Sequence, residues 1–272
     1  MRKQKNRKIT VTAFECRRDH LTIRGTQYLP AGTKLPIAIV SHGFMANQDT
    51  VRQYAKKLAK LGYAAYCFDF CGGCVIKGKS DGKTTEMSVL TEVKDLEAVI
   101  QYAKSMPYCD AGRIVLMGCS QGGLVSALTA AKHSDIVSKL ILFYPAVCIP
   151  YDARRGKMLL AEFDPKKIPD RFRCGAMKLG RCYVEDVIRM NPYREILGFS
   201  GDVLLVHGTK DKIVDLKYVK KAYAVYKKET IEKKLDRKVE LHIIKNAKHG
   251  FSKKCDRVAA RYIEQFCQRF RF

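Results

Sequence analysis

At 272 residues, with 47% apolar and 29% charged residues, the chain has a globular composition and enough length to bury one large core, which excludes a wholly disordered or fibrous protein. Its longest apolar stretches, 64–68 and 140–146, fall far short of the roughly 20 residues a membrane-spanning helix requires, so no membrane partner is expected. The formal net charge of +24 points to polyanions, yet the basic residues are spread along the chain with local runs only at 2–8 and around 227–238.

In chain order, residues 1–8 are basic, but no apolar segment or small-residue cleavage site follows, so no secretory signal is read and a cytoplasmic protein is expected. Residues 9–14 and 21–29 read as an initial antiparallel pair, the second closed by Pro30-Ala31-Gly32. The pattern then changes. Pro36-Ile37-Ala38-Ile39-Val40 is a continuous apolar run, as in a strand buried on both faces of a largely parallel sheet. A helix over 53–61 ends at Gly62, and 64–68 is the next buried strand. Apolar residues at Val89, Val93, Leu96, Ile100 and Ala103 mark a helix between 87 and 105. Strand 113–117, helix 121–133 and strand 139–144 follow.

Residues 145–192 interrupt the alternation. No clear strand is visible there, only short helical pieces and loops, and the segment leaves the sheet at a strand's C-terminal end, where such folds bind ligands. A lid is the expectation, an ordinary surface excursion the alternative. Strands 203–206 and 239–244, each followed by a helix (216–226 and 257–270), complete the chain. The α/β class follows: a mostly parallel, doubly wound sheet of about eight strands in a single domain over 1–272, with the lid inserted at 145–192.

Gly118-Cys119-Ser120-Gln121-Gly122 is Gly-x-Ser-x-Gly placed between a buried strand and a helix. A nucleophile on so sharp a turn requires small flanking residues, which Gly118, Gly122 and Gly123 supply. A serine hydroxyl needs an adjacent base. Of six histidines, His207 and His242 fall in or at the end of strands, His133 ends a helix and His20 precedes a strand; His249 alone lies in a loop between the last strand and the last helix, at the sheet edge that carries Ser120. The carboxylate that orients it should lie between Ser and His in chain order. Asp211, in the turn after a buried strand, is favoured; Asp215 is the competitor and can instead cap the next helix. Oxyanion donors are expected from the backbone N–H of Gln121 and from the Ser41-His42-Gly43-Phe44 loop, where Phe44 N–H is the second donor and His42 supports the turn. Cys71-Gly72-Gly73-Cys74 lacks the second ligand pair of a zinc site, so no metal and no cofactor is expected, and an odd total of eleven cysteines points to free thiols.

With these pieces in place the chain resembles the bacterial cinnamoyl or feruloyl esterases of the α/β-hydrolase fold, from about residue 20 to the end. The resemblance rests on Ser41-His42-Gly43-Phe44-Met45-Ala46-Asn47, Ser80-Asp81-Gly82-Lys83, Ser120-Gln121-Gly122-Gly123, and Phe163-Asp164-Pro165 followed by Ile168-Pro169-Asp170-Arg171. It implies that 145–192 forms a lid and that Asp152 and Tyr183 contact a phenolic hydroxyl of the substrate. Two departures stand near the site: the Cys71–Cys74 stretch replaces a Gly-His-Gly, and Leu159 stands where some members carry a glutamine.

The function expected is hydrolysis of a small carboxylic ester through an acyl-enzyme, with a hydroxycinnamate ester as the substrate the resemblance implies. A peptidase or thioesterase of the same fold is one alternative, and a basic polyanion-binding protein that retains the fold is another. The partner expected is a small-molecule ester; no nucleic-acid signature accompanies the basic residues, and an oligomer is compatible with the sequence.

Overall fold

A computed structural model of the chain describes residues 8–76 and 78–269; the basic run at 2–7 and the predicted helix end at 270 lie outside the described residues. Strands β1 (Ile9–Arg18) and β2 (Leu21–Pro30) pair antiparallel along their full length. Then come β3 (Leu35–Ser41), α1 (Arg52–Lys60), β4 (Ala64–Phe68), α2 (Val89–Ser105), β5 (Cys109–Cys119), α3 (Gln121–Lys132) and β6 (Val137–Phe143). The interrupting segment holds α4 (Ile149–Arg154), β7 (Lys157–Met158), β8 (Ala161–Glu162), β9 (Arg171–Cys174), β10 (Met177–Gly180), α5 (Cys182–Ile188) and α6 (Pro192–Glu195). The last core units are β11 (Asp202–Gly208), α7 (Leu216–Glu232), β12 (Val239–Ile244) and α8 (Lys253–Arg269).

Eight strands form one sheet in the order β1-β2-β4-β3-β5-β6-β11-β12. β2 meets β4 antiparallel, and every pairing from β4 onward is parallel. Alternation of side chains divides the core in two. Ile37, Ile39, Leu116 and Leu140 pack on the face covered by α2, α3 and α7, whereas Ala38, Val40, Val115 and Ile141 pack on the face covered by α1 and α8. Both faces are therefore apolar, which is why these strands read as unbroken apolar runs.

The segment between β6 and β11 differs from the sequence expectation, because it contains two antiparallel hairpins, β7–β8 and β9–β10. Their strands are two and four residues long, too short to display a period. Gly175 at φ 60° sits first in the two-residue turn that closes β9–β10, the positive φ a tight hairpin favours there. Several boundaries also move: β1 runs to Arg18 rather than 14, and α8 begins at Lys253 rather than 257. β5 begins at Cys109 rather than 113, pairing with Leu35 and Pro36 ahead of a register shift at Pro36/Ile37, and α7 continues past 226 to Glu232. All eleven cysteines carry free thiols, and among the described residues no helix is long and apolar enough to cross a membrane.

Candidate active site

β5 delivers the chain to Ser120 and α3 departs from it. Ser120 adopts φ 55°, ψ −120°, a region that costs a non-glycine residue about 1–3 kcal/mol. It is held there by its own N–H, which donates to Phe143 O at 3.0 Å, and by Ala146 N–H, which donates to Ser120 O at 2.9 Å. The turn leaves no space for side chains: a Cβ on Gly118 would lie 2.0 Å from Gly122 O, and one on Gly122 would lie 2.2 Å from His42 O.

Ser120 Oγ lies 3.0 Å from His249 Nε2, and His249 Nδ1 lies 2.8 Å from Asp211 Oδ2. The hydroxyl thus donates to one ring nitrogen while the other donates to the carboxylate. Asp211 is fully buried, and its Oδ1 accepts the N–H groups of Ile213 and Val214, each at 2.9 Å. Burial pushes the Asp211 carboxyl up, but the His249 hydrogen bond and these two amides outweigh it and hold the group below the usual carboxylate value. Asp215 caps α7, accepting Lys217 N–H at 2.9 Å. The turns carrying Asp211 and His249 are fastened together. Lys210 N–H donates to Ala247 O at 2.9 Å, Asn246 N–H donates to Thr209 Oγ1 at 2.8 Å, and a Cβ on Gly208 would lie 2.3 Å from Ala247 O.

The loop after β3 abuts the nucleophile, since a Cβ on Gly43 would stand 3.0 Å from Ser120 Cβ. His42 is buried inside it; Nδ1–H donates to Gly43 O at 2.8 Å, leaving Nε2 to accept Phe70 N–H at 3.1 Å. Burial lowers the His42 pKa and keeps the ring neutral in that tautomer. Among the described residues neither Phe44 N–H nor Gln121 N–H donates to a protein acceptor, and both residues line the cavity above Ser120.

That cavity encloses about 240 Å³ and is walled by Ala146, Ile149, Met158, Leu159, Tyr183 and Val214, with Asp152 as its carboxylate. Most of this wall comes from the segment 145–192. Burial raises the Asp152 carboxyl above its ordinary value, against a hydrogen bond from the Cys148 thiol and the charges of Arg155 and Lys217. The Tyr183 ring is part of the wall, while its hydroxyl donates to Gln121 Oε1. Gln121 Nε2 in turn donates to Glu92 Oε2 at 2.8 Å.

Several of these supports were missed in the sequence. Glu92 and Asp95 are buried on one side of α2, Asp95 receiving Arg18 Nε and Cys71 N–H. Asp69, at the end of β4, accepts Gln48 N–H at 2.7 Å and Lys79 N–H at 2.9 Å, and so anchors the cysteine-containing loop. Tyr144 packs its ring 4.7 Å from that of His249. A buried carboxylate at a helical apolar position, as at Glu92 and Asp95, was the available signal. Cys71 and Cys74 are not joined, and among the described residues no group of three or more His, Cys, Asp or Glu side chains is arranged to hold a metal ion.

A predominantly parallel eight-stranded sheet, a serine elbow after β5 and acid and histidine turns after β11 and β12 define the α/β-hydrolase fold. A family model described as serine aminopeptidase, S33 matches residues 34–179, and the chain belongs to that hydrolase family. Human monoglyceride lipase is 30% identical over 152 residues, covering 53% of this chain and 48% of the lipase. Carboxymethylenebutenolidase of Pseudomonas putida is 28% identical over 114 residues, covering 38% of this chain and 48% of that enzyme. The chain thus spans about half the length of these curated relatives. Among solved structures, Est1E from Butyrivibrio proteoclasticus with ferulic acid bound superposes with a TM-score of 0.83 at 27% identity, covering 94% of this chain and 98% of Est1E.

Proposed function

We propose that the protein is a serine hydrolase that cleaves a small carboxylic ester through an acyl-enzyme. The observation that carries this reading is the Ser120–His249–Asp211 relay, with steps of 3.0 and 2.8 Å, at the floor of an apolar cavity. Ser120 Oγ attacks the ester carbonyl as His249 Nε2 takes its proton, and Asp211 holds the ring tautomer and stabilises the imidazolium. The amides of Phe44 and Gln121 donate to the oxyanion. His249 then protonates the leaving alcohol, and water attacks the acyl-enzyme by the same route.

Ser120→Ala tests the reading. It should abolish fluorophosphonate labelling and reduce kcat by several orders of magnitude with the fold intact, leaving roughly 10³–10⁴ over water from binding and the oxyanion donors. A folded alanine variant with near wild-type turnover ends the proposal.

Within that chemistry we favour a hydroxycinnamate ester, with the segment 145–192 as a lid. Support comes from the ferulic acid bound to Est1E and from the position of Asp152 in the wall. Asp152 accepts the phenolic hydroxyl and Tyr183 supplies a flat surface beside the aromatic ring. Asp152→Ala should then lower kcat/KM for a hydroxylated cinnamate ester by about one to two orders of magnitude while a short aliphatic ester changes little. Equal losses on both esters would remove phenol recognition. The family description favours one further reading, cleavage of a peptide amide, which an aminoacyl anilide in the same substrate panel tests. The eleven free thiols support a reducing, cytosolic location.

A further inference from the structure

The apolar cavity has a neighbour of opposite character. A second, open groove is lined by Lys210, Lys212 and Lys248 together with Thr209, Asp211, Ile213 and His249, and shares Ile213 and His249 with the cavity above Ser120. Lys210 and Lys212 flank Asp211, and Lys248 precedes His249, so the two turns that build the relay also bring three ammonium groups to one rim. The Lys210 N–H to Ala247 O hydrogen bond joins the two turns and so holds the backbone positions of the three lysines together.

The charge of this rim is not cancelled. All three lysines are exposed, and among the described residues none of them forms an ion pair. Of the nearby carboxylates, Asp211 faces His249 and two amides and offsets one of the three positive charges, while Asp215 is engaged by Lys217 Nζ at 3.4 Å and by the α7 cap, so the rim stays net positive. A cationic groove of this kind raises the local concentration of an anion and its rate of association.

Reaction geometry says which part of a substrate meets it. The acyl group faces the apolar wall, whereas the leaving oxygen must collect its proton from His249 Nε2 and so departs beside His249, the residue the groove shares with the cavity. We infer that the alcohol portion of the natural ester is anionic, carrying a phosphate or carboxylate a few bonds from the ester oxygen that lies against Lys210, Lys212 and Lys248. This inference rests on the ester-hydrolase reading above. The acyl C–O bond breaks, the His249 proton goes to the departing alkoxide, and water then releases the acid, so the products are a carboxylic acid and an anionic alcohol.

The test uses the full chain and butyrate esters of three alcohols: a hydroxybutanoate, a hydroxypropyl phosphate and, as the neutral match, a hydroxybutanamide. The expected ratio of kcat/KM, anionic over neutral, is about 10 or more at low ionic strength and falls as salt shortens the screening length to a few ångströms. The two anionic esters separate phosphate from carboxylate as the preferred group. The ratio should drop to about one in K210Q/K212Q/K248Q and survive in K210R/K212R/K248R, which keeps the charge. A wild-type ratio near one with the neutral ester still cleaved overturns the groove assignment and leaves the hydrolase reading standing. A ratio that survives the glutamine substitutions also overturns it, since the protein's net charge and not this rim would then be responsible. Failure to cleave any of the three, together with failure of fluorophosphonate labelling, overturns both.

Discussion

Tyr183→Phe separates two uses of one hydroxyl. The ring is buried, at 1% exposure, and the hydroxyl donates to Gln121 Oε1, whose amide continues to Glu92 Oε2. Deleting the oxygen leaves Gln121 Oε1 without its donor in an environment water does not reach. A buried acceptor left unpaired costs about 1–3 kcal/mol, so the variant should unfold at measurably lower urea concentration, with the dependence on urea unchanged. Gln121→Leu should destabilise the protein as well, and the double variant should lose less than the sum of the singles, because each single change breaks the same bond. The substrate side follows from the same geometry. With its hydrogen committed to Gln121, the Tyr183 hydroxyl is not the donor that distinguishes a hydroxylated from an unsubstituted cinnamate, and the ratio of kcat/KM for those two esters should change less than about threefold, under 1 kcal/mol. Unchanged stability with a tenfold or larger loss of that ratio would refute this reasoning and turn the hydroxyl towards the substrate.

Asp211→Asn should retain the amide contacts to Ile213 and Val214 through its carbonyl oxygen but present an N–H to His249 Nδ1, favouring the wrong tautomer; a fall in kcat of about 10³–10⁴ is expected in single-turnover assays, and a fall of less than tenfold would remove Asp211 from the relay. Glu92→Gln addresses pH. Burial raises the Glu92 carboxyl well above its ordinary value, and Asp95 adds to the rise. The folded protein therefore holds that proton more tightly than the unfolded chain, and the group's contribution to stability is lost as pH climbs from the free-carboxyl range, about 4.3, through the higher folded value. The variant should gain stability relative to wild type at about pH 8 but not at about pH 4, as read by thermal unfolding; equal differences at the two pH values would contradict it.

The parts of the site legible in the sequence are those whose signal is local. The serine elbow declares itself through glycines where an added Cβ would stand 2.0 and 2.2 Å from backbone oxygens, and the acid and histidine turns follow apolar strands short enough to recognise. The choice of Asp211 over Asp215 rested on chain order and capping habit, and in the structure Asp215 does cap α7. The supports were not legible because they join residues far apart. Arg18 meets Asp95 across 77 positions, Tyr183 meets Gln121 across 62, and Gln48 meets Asp69 across 21. Glu92 and Asp95 fall at apolar-face positions of α2, which marks them as unusual in the sequence but does not name their partners. The hairpins of the 145–192 segment escaped for a different reason: strands of two to four residues carry no period, and only Gly175 marked a turn.

These hidden pairings tie the Cys71–Cys74 stretch to the loop after β3. The stretch containing Cys71 and Cys74 has its ends tied to groups on which the loop after β3 depends. Phe70 N–H donates to His42, Cys71 N–H to Asp95, Gly72 N–H to Asp81 O and Lys79 N–H to Asp69, whose other oxygen accepts the N–H of Gln48 just beyond the oxyanion loop. Backbone donors perform the anchoring, and a backbone donor does not depend on the side chain it belongs to. The cysteine side chains are therefore not what holds His42, and with it Gly43 and Phe44. Leu159 has no such buffering. It lines the same cavity as Asp152, so its apolar side chain sets the character of that wall. The Cys71–Cys74 stretch thus acts through its backbone on the loop beside Ser120, whereas Leu159 acts on the cavity wall itself.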